Sequence, residues 1–467
     1  MKEKIFSLGI LLLCITMLSG TFSGCTPSSS GGPASSSPSS ATAVAGKQAV
    51  TNVTFWYSMG GLGEKALQKM INDFNSSQSD IHVDAKYEGS YTDAMNKLKN
   101  SIKGGQLPDV VQLGDESTRF MMENKSVLPL QNLIDAEKYD LSTLEPNILA
   151  FYSLGGKLYS MPFNNSTPIL YYNKDLFRAA GLDPENPPKT MDELIAAGKK
   201  ISKKDAKGNL QVSGCEINNS DINEWLFSEW MCLQGLPFAN NDNGRSQRST
   251  AVAYDQNGGG LKILQKLLEV QKSGTASSAK TINDIFGRFA SGQSAMMLSS
   301  SAGLYTVLTT IGSTFEVGTG PMPSISAGDK GGISVGGAAL WMMDTKDSDR
   351  QKAAFEFIKF MASPEQQAYW CGQTGYFPVT TKSYDLPEMK QLLSEKPQFK
   401  AAIDQLHKSS PQNQGVLIGT FPELTQQYED MINKVLSGEW TPEEGIKNAA
   451  GQANKTIAEY NENNPLD

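Results

Sequence analysis

Histidine and cysteine are scarce in this sequence. Two histidines, His82 and His407, occur among 467 residues, which disfavours a histidine-rich metal site and a Ser/His/Asp catalytic triad. The cysteines in the body of the chain are too few for a disulfide framework and form no paired CxxC motif for zinc. A bridge between Cys215 and Cys232 and buried free thiols are both open alternatives. We expect no metal and no cofactor.

Long hydrophobic runs are missing except near the start of the chain. The apolar run over residues 5–18 is shorter than the roughly 20 residues needed to span a bilayer. It follows two lysines and fits the core of a signal peptide. The stretch FSGC, ending at Cys25, resembles a bacterial lipobox with Phe in place of the usual Leu. We predict a lipoprotein signal peptide over residues 1–24 and lipidation of Cys25, with secretion and cleavage elsewhere as the alternative.

The next segment lacks the material for a core. Residues 25–48 are dominated by serine, proline, glycine and alanine, a composition typical of a flexible tether. Positive charge is not in excess either. The net charge is −8, and loss of residues 1–24, with two lysines and one glutamate, makes it −9. That charge disfavours nucleic acid and anionic membrane surfaces as partners.

The remaining chain has ordinary globular composition, with 39% hydrophobic residues, and is long enough for about two to three domains. Strand-like stretches at 50–57, 81–88 and 109–114 alternate with amphipathic helical patterns. This βαβαβ order predicts a parallel sheet with helices on both faces. Ligands bind outside the carboxyl ends of such strands, where Tyr91 and Asp115 lie, although both can simply cap helices.

Four motifs together resemble a known family over about residues 50–450. They are FNNSTPILYYNKDLFRAAGLDPENPPKTMDEL from residue 163, GGAALWMM from 336, QTGYFPVT from 373 and GTFPEL from 419. They are similar to the extracellular solute-binding proteins of ABC importers, with the glycerol-3-phosphate-binding branch as the nearest.

The resemblance implies an α/β, two-lobed periplasmic-binding-protein fold of the maltose-binding type (type II), with three interlobe crossings. We expect crossings at FNNST, near residues 298–301 and near residues 341–344. Lobe 1 would comprise 49–165 plus 299–342, and lobe 2 would comprise 166–298 plus 343–467.

The resemblance also implies a role and a location. A monomeric, non-enzymatic protein would bind a small solute between its lobes and deliver it to an ABC permease served by a cytoplasmic ATPase. It would lie outside the cytoplasm and contact the membrane only through the lipid on Cys25. Whether the envelope has one membrane or two stays open.

Six positions match the ligand contacts of the glycerol-3-phosphate branch and keep usable chemistry. They are Tyr91, Asp115 (shortened from glutamate), Ser166, Ser300, Gly337 and Tyr376. Their hydroxyls, carboxylate and backbone amide suit a polyhydroxylated ligand.

Two positions depart from the branch. Its phosphate-holding arginine corresponds to Thr425, which offers no guanidinium, and its glycerol-side tryptophan falls near Asp221, where Trp225 can substitute. We therefore favour a neutral carbohydrate, with Trp225 or Trp230 covering apolar sugar faces.

Three alternatives are kept open. The first is glycerol 3-phosphate or a glycerophosphodiester, with the phosphate held by helix N-termini and serine hydroxyls. The second is a secreted glycosidase, which needs two facing carboxylates. The third is a purely structural surface lipoprotein.

Overall fold

The computed structural model describes residues 49–216, 224–277 and 281–466. The predicted signal peptide, Cys25 and the tether lie outside these ranges, and so does Asp221. Within the described ranges, no helix is both long and apolar enough to cross a membrane. Cys215, Cys232 and Cys371 are all free thiols, so the structure does not form the Cys215–Cys232 bridge.

The strands of the described residues are β1 (Thr51–Tyr57), β2 (Ile81–Tyr87), β3 (Val110–Gly114), β4 (Ser153–Leu154), β5 (Lys157–Leu158), β6 (Met161–Ser166), β7 (Pro168–Asn173), β8 (Lys203–Lys204), β9 (Leu210–Val212), β10 (Met296–Ser300), β11 (Val317–Pro321) and β12 (Gly336–Met342).

The helices of these ranges are α1 (Gly61–Ser77), α2 (Tyr91–Gly104), α3 (Thr118–Glu123), α4 (Gln131–Glu137), α5 (Pro146–Phe151), α6 (Lys174–Ala179), α7 (Met191–Ile201), α8 (Glu224–Leu233), α9 (Asn240–Gly244), α10 (Gly259–Lys272), α11 (Ile282–Ala290), α12 (Leu304–Ile311), α13 (Ser348–Met361), α14 (Pro364–Thr374), α15 (Pro387–Glu395), α16 (Lys400–Lys408), α17 (Phe421–Ser437) and α18 (Pro442–Asn463). Short 3₁₀ turns occur at Asp115–Ser117, Leu141–Thr143, Ser301–Gly303, Thr381–Asp385 and Pro397–Phe399. The segment α9 is a left-handed turn, because Asn241, Asp242 and Asn243 have φ between 54° and 56°.

The first lobe is built on a five-stranded sheet in the order β2-β1-β3-β12-β6. The strands β1, β2 and β3 are parallel, as the βαβαβ pattern predicts, and β12 runs antiparallel to both β3 and β6. The stretch VVQLG of β3 is buried at all five positions, because this central strand is covered on both faces. Its carboxyl end therefore brings Asp115 to the edge of a fully packed sheet.

A capping box fixes the start of the next site element, α2. The Ser90 side chain accepts from the Asp93 backbone N–H at 3.2 Å, and the Asp93 carboxylate accepts from the Ser90 N–H at 3.0 Å. This reciprocal pair satisfies two of the donors that a helix leaves free at its start. It holds Tyr91, the first residue of α2, beside the end of the sheet.

The second lobe is built on a three-stranded sheet in the order β10-β7-β11, with β7 antiparallel to both neighbours. The strand β6 of the first sheet ends at Ser166, and β7 begins at Pro168. Only Thr167 separates the two sheets along the chain. The chain thus passes from the first sheet to the second within FNNST.

The other two predicted crossings are wrong. Both β10 and β11 pair with β7, so both strands belong to the second sheet, although α12 between them packs on α14. The chain rejoins the first sheet only at β12. The segment after β12 then remains with the first lobe, since α13 packs on β1 and α14 packs on α1. The last passage lies between α14 and α16, which packs on β11. The family motifs give the order of segments, but strand pairing between distant residues decides which lobe each one joins.

A buried ion network joins the two lobes. Glu123, at the end of α3, binds Arg119 at 2.5 Å and accepts two hydrogen bonds from Arg248 of the second lobe, at 3.0 and 2.5 Å. Tyr460 of α18 donates to the same carboxylate at 3.0 Å. Burial alone would raise the pKa of Glu123, but Arg248 and Arg119 outweigh it and hold that pKa below its usual value. The network therefore favours lobes held together.

Replacing Glu123 with glutamine should lower the free energy of unfolding by about 3–5 kcal/mol, because it leaves two largely buried guanidinium groups short of a counter-charge. Urea denaturation measures this loss. The control is Glu459→Gln, which breaks the exposed pair with Lys455 and should change stability by less than about 1 kcal/mol. Equal effects of the two substitutions would show that the network carries no special weight.

Candidate ligand-binding site

A cavity of about 360 Å³ lies between elements of the two lobes. Its volume falls at the lower end of the range of about 300–1,000 Å³ typical of small-molecule sites. All eight predicted ligand-contact residues line it, and the full lining is Tyr91, Thr92, Asp115, Glu116, Ser166, Trp225, Ser300, Gly337, Tyr376, Phe421, Pro422 and Thr425. Trp230 does not reach it. That side chain is fully buried and donates from Nε1 to the Pro323 carbonyl at 3.1 Å.

Asp115 and Glu116 place two carboxyls directly after the end of β3. The backbone N–H of Gly337 donates to Asp115 Oδ1 at 3.0 Å, which ties this carboxyl to the start of β12. Gly337 has a φ of +102°, and a Cβ there would lie 2.1 Å from the Asn164 carbonyl. Only glycine fits this close approach. The Gly337 N–H, which the sequence predicts as a ligand contact, therefore holds the Asp115 carboxyl in place.

A chain of buried amides orients the tyrosines. The backbone N–H of Ser58 donates to Gln112 Oε1 at 2.9 Å, Gln112 Nε2 donates to Asn164 Oδ1 at 2.7 Å, and Asn164 Nδ2 donates to the Tyr91 hydroxyl at 2.9 Å. A backbone N–H can only donate, so it sets the orientation of both amides. Tyr91 therefore accepts from Asn164 and keeps its own proton. The Tyr91 hydroxyl donates to Met59 Sδ at 3.7 Å. Tyr376 lines the same cavity, so this tyrosine pair offers two hydroxyls to a ligand.

The serines meet where the chain passes between the sheets. Ser300 Oγ donates to Ser166 Oγ at 3.0 Å, and the backbone N–H of Ala302 donates to Ser300 Oγ at 3.2 Å. Ser166 belongs to β6 of the first sheet and Ser300 to β10 of the second. This contact therefore places two hydroxyls from different lobes side by side at the cavity.

Desolvation dominates the electrostatics of the site. It raises the pKa of Asp115 well above its usual value, with further repulsion from Glu116 and Glu229. Desolvation also raises the pKa of Glu116 to about 7 and that of Glu229 to about 8. Among the described residues, no lysine or arginine lines the cavity or forms an ion pair with these three acids. As far as the described ranges extend, the site is therefore acidic and has no compensating cation.

Sequence reasoning missed several residues of this site. Glu116 directly follows Asp115, a predicted ligand contact, and this position in the sequence could have identified it as a site residue. Glu229 lies one helical turn after Trp225 on α8 and is 1% exposed, and i, i+4 spacing places both on one helix face. Gln112 and Asn164 lie inside strands that read as core, and their polar partners come from distant segments. No local sequence pattern predicts hydrogen bonds between residues so far apart in the chain.

Two lobes on separate sheets, with a polar and aromatic cavity between them, define a two-lobed binding protein. The sequence profile of the family described as bacterial extracellular solute-binding protein matches residues 69–401. The match covers more than half of the chain, and the chain therefore belongs to this family.

Relatives and solved structures agree with this assignment. The chain is 30% identical over 427 residues to the sn-glycerol-3-phosphate-binding periplasmic protein UgpB of Pectobacterium atrosepticum, covering 89% of this chain and 93% of the relative. The fold is similar to UgpB from Mycobacterium tuberculosis in complex with glycerophosphocholine, with a TM-score of 0.73, 21% identity, and 88% and 99% of the two chains covered. It is also similar to the cyclic alpha-maltosyl-1,6-maltose binding protein from Arthrobacter globiformis, with a TM-score of 0.71, 23% identity, and 88% and 100% covered. These likenesses confirm the predicted α/β two-lobed fold.

Glu116 should make stability depend on pH. Its pKa rises from 4.5 to about 7 on folding, so between these values the folded state holds more protons than the unfolded state. Its contribution to stability therefore falls as the pH rises through this window. We expect Glu116→Gln to raise the melting temperature relative to the parent chain more at pH 8 than at pH 4.5. Melting curves across this range measure it, and a difference that does not change with pH would contradict the assignment.

Proposed function

We propose that this solute-binding protein captures a carbohydrate, most simply a short oligosaccharide, in the interlobe cavity and delivers it to an ABC permease. One observation carries the choice of ligand: the half-buried carboxyls of Asp115 and Glu116 line a cavity whose described lining contains no cation. A phosphate would add negative charge beside groups that already resist ionisation.

The rest of the lining suits sugars. Carboxylates accept hydrogen bonds from hydroxyls, and serine and tyrosine hydroxyls can donate or accept. Asp115, Ser166 and Ser300 would meet ring hydroxyls, while Tyr91, Tyr376 and Trp225 would cover the apolar faces of sugar rings. Such binding shifts the protein towards a closed form only through contacts made better when the lobes are together.

The alternative ligand is glycerol 3-phosphate or a glycerophosphodiester. It is supported by what the relative from Pectobacterium is named for and by the glycerophosphocholine bound in the mycobacterial structure. Thr425 stands on α17 where the branch has its arginine. The first turn of α17 and the serine hydroxyls would then have to hold the phosphate. The missing charge-assisted contact is worth about 1.5–3 kcal/mol, which argues against this ligand.

Further parts of the proposal concern location and partners. The relatives are described as extracellular or periplasmic proteins, and the leader-like start of the chain supports export with an anchor at Cys25. The permease and its ATPase are proposed on family grounds. We also propose that the chain binds without catalysis, because the relatives are described as binding proteins and not as glycosidases.

A thermal-melt screen tests the choice of ligand. The purified chain is heated with glycerol 3-phosphate, glycerophosphocholine and a panel of oligosaccharides. A ligand at 100 times its dissociation constant should add about 2.7 kcal/mol, a clear rise in melting temperature. We expect oligosaccharides to stabilise the chain and the phosphates to leave it unchanged, and Asp115→Ala should remove the shift. Stabilisation by the phosphates alone would contradict the carbohydrate assignment, and no stabilisation by any solute would favour a structural lipoprotein.

Replacing Thr425 with arginine should restore the phosphate contact of the branch. We expect the variant to gain affinity for glycerol 3-phosphate by about tenfold or more, since a charge-assisted contact is worth about 1.5–3 kcal/mol. Calorimetric titration measures the gain. The control is Thr306→Arg, which places the same charge on the exposed face of α12 and should leave affinity unchanged. Equal gains in both variants would show that net charge, and not the position of Thr425, is responsible.

A further inference from the structure

The cavity has one acidic wall. Asp115 and Glu116 occupy the 3₁₀ turn that follows β3, and both face the same space as Ser166 and Gly337. Glu229 lies on the same face of α8 as Trp225, and its carboxylate accepts a hydrogen bond from the Ser334 N–H at 2.9 Å. Its charge reaches Asp115, whose pKa it raises. Two carboxyls thus line the cavity and a third acts on them from nearby, and no described basic side chain lies among the cavity-lining residues.

The backbone is shaped to accommodate Glu116 there. A Cβ on Gly114 would lie 2.0 Å from Glu116 Oε2 and 2.5 Å from Glu116 Oε1. The Glu116 carboxyl therefore occupies the space that any other residue at position 114 would fill. This close approach holds the carboxyl back over the end of β3, beside Asp115. The Gly337 N–H fixes Asp115 from the other side, so the pair of carboxyls is positioned before any ligand arrives.

Aromatic rings line the same cavity as this pair of carboxyls. Tyr91, Trp225, Tyr376 and Phe421 all line the cavity, and Trp225 packs so closely on Gly336 that a Cβ there would lie 2.6 Å from its indole nitrogen. Aromatic faces attract cations as well as apolar sugar faces. Carboxylates and ring faces together are the groups that recognise an ammonium. A divalent metal is not suggested, because no group of acids, histidines and cysteines in the described ranges could hold one.

We propose that the preferred ligand is a saccharide carrying a protonated amine, with the ammonium held between Asp115 and Glu116. This inference rests on the proposed carbohydrate function and narrows its substrate class to amino sugars. The ammonium supplies three donors and the positive charge that the lining lacks. Its positive charge would also favour ionisation of both carboxyls, which a neutral sugar cannot do. The hydroxyls of the same saccharide would meet Ser166, Ser300 and the tyrosine pair.

Three disaccharides with the same linkage test the proposal. Chitobiose with free amines carries the charge, its N,N′-diacetylated form has the same skeleton without it, and cellobiose has hydroxyls in place of the amines. Calorimetric titrations of the full chain near neutral pH give the three dissociation constants. We expect chitobiose to bind at least about tenfold more tightly than either neutral disaccharide, as a charge-assisted hydrogen bond implies.

Variants separate the charge effect from general affinity. Glu116→Gln and Asp115→Asn each keep the shape of the side chain and remove its charge, so each should reduce the preference for chitobiose over cellobiose to about threefold or less. Glu388→Gln removes an equivalent charge at an exposed position on α15 and should leave the preference intact. Melting curves without ligand confirm that each variant is folded before it is titrated.

The outcomes are distinct. Binding of cellobiose or diacetylchitobiose with no preference for the free amine would overturn this inference and leave the carbohydrate function standing. A preference for chitobiose that persists in both cavity variants would also overturn the inference, because another part of the protein would then recognise the ammonium. If none of the three binds while glycerol 3-phosphate does, the proposed function fails, and this inference fails with it.

Discussion

One extended segment shared by two sheets determines where the site lies. The strand β6 pairs with β12 in the first lobe, β7 pairs with β10 and β11 in the second, and Thr167 alone separates β6 from β7. Both sides of the passage are hydrogen-bonded into a sheet, so Ser166 cannot leave the boundary between the lobes. The carboxyl end of β3 approaches this point from one lobe and the end of β10 from the other. The cavity is therefore a consequence of the topology, and its chemistry follows from the residues at those two ends.

The chemistry of the cavity is set by acidic side chains that have no basic partner among the described residues. Elsewhere the chain pairs its buried acids: Asp109 binds Arg350, Glu88 binds two lysines, and Glu123 binds two arginines. Around the cavity, desolvation raises the pKa of Asp115, Glu116 and Glu229. No basic side chain of the described residues lines the cavity beside them. A folded protein tolerates such a cost mainly where function uses it. The relatives named for glycerol 3-phosphate belong to the same family as this chain, and the acidic lining is the reason that we propose a different solute here.

Much of this was predictable from the sequence, and the failures have physical causes. The βαβαβ order and the family motifs single out Tyr91, Asp115 and Ser166, which all line the cavity, because strand ends and helix starts are local features. Lobe membership after residue 298 was mispredicted, since β10 and β11 pair with a strand more than a hundred residues earlier. The roles of Gln112 and Asn164 were not predicted for a similar reason. A polar residue inside a buried strand is explained only by the hydrogen-bond partners that folding brings to it.

The most direct test is a crystal structure of the chain with whichever solute stabilises it most in a thermal melt. The account predicts a saccharide in the cavity between Ser166 and Gly337, with a hydroxyl or ammonium group within hydrogen-bond distance of Asp115 and Glu116 and with Trp225 or the tyrosine pair against a ring face. A phosphate group facing the two carboxyls would contradict it. A solute bound in any other cavity of the protein would contradict it as well.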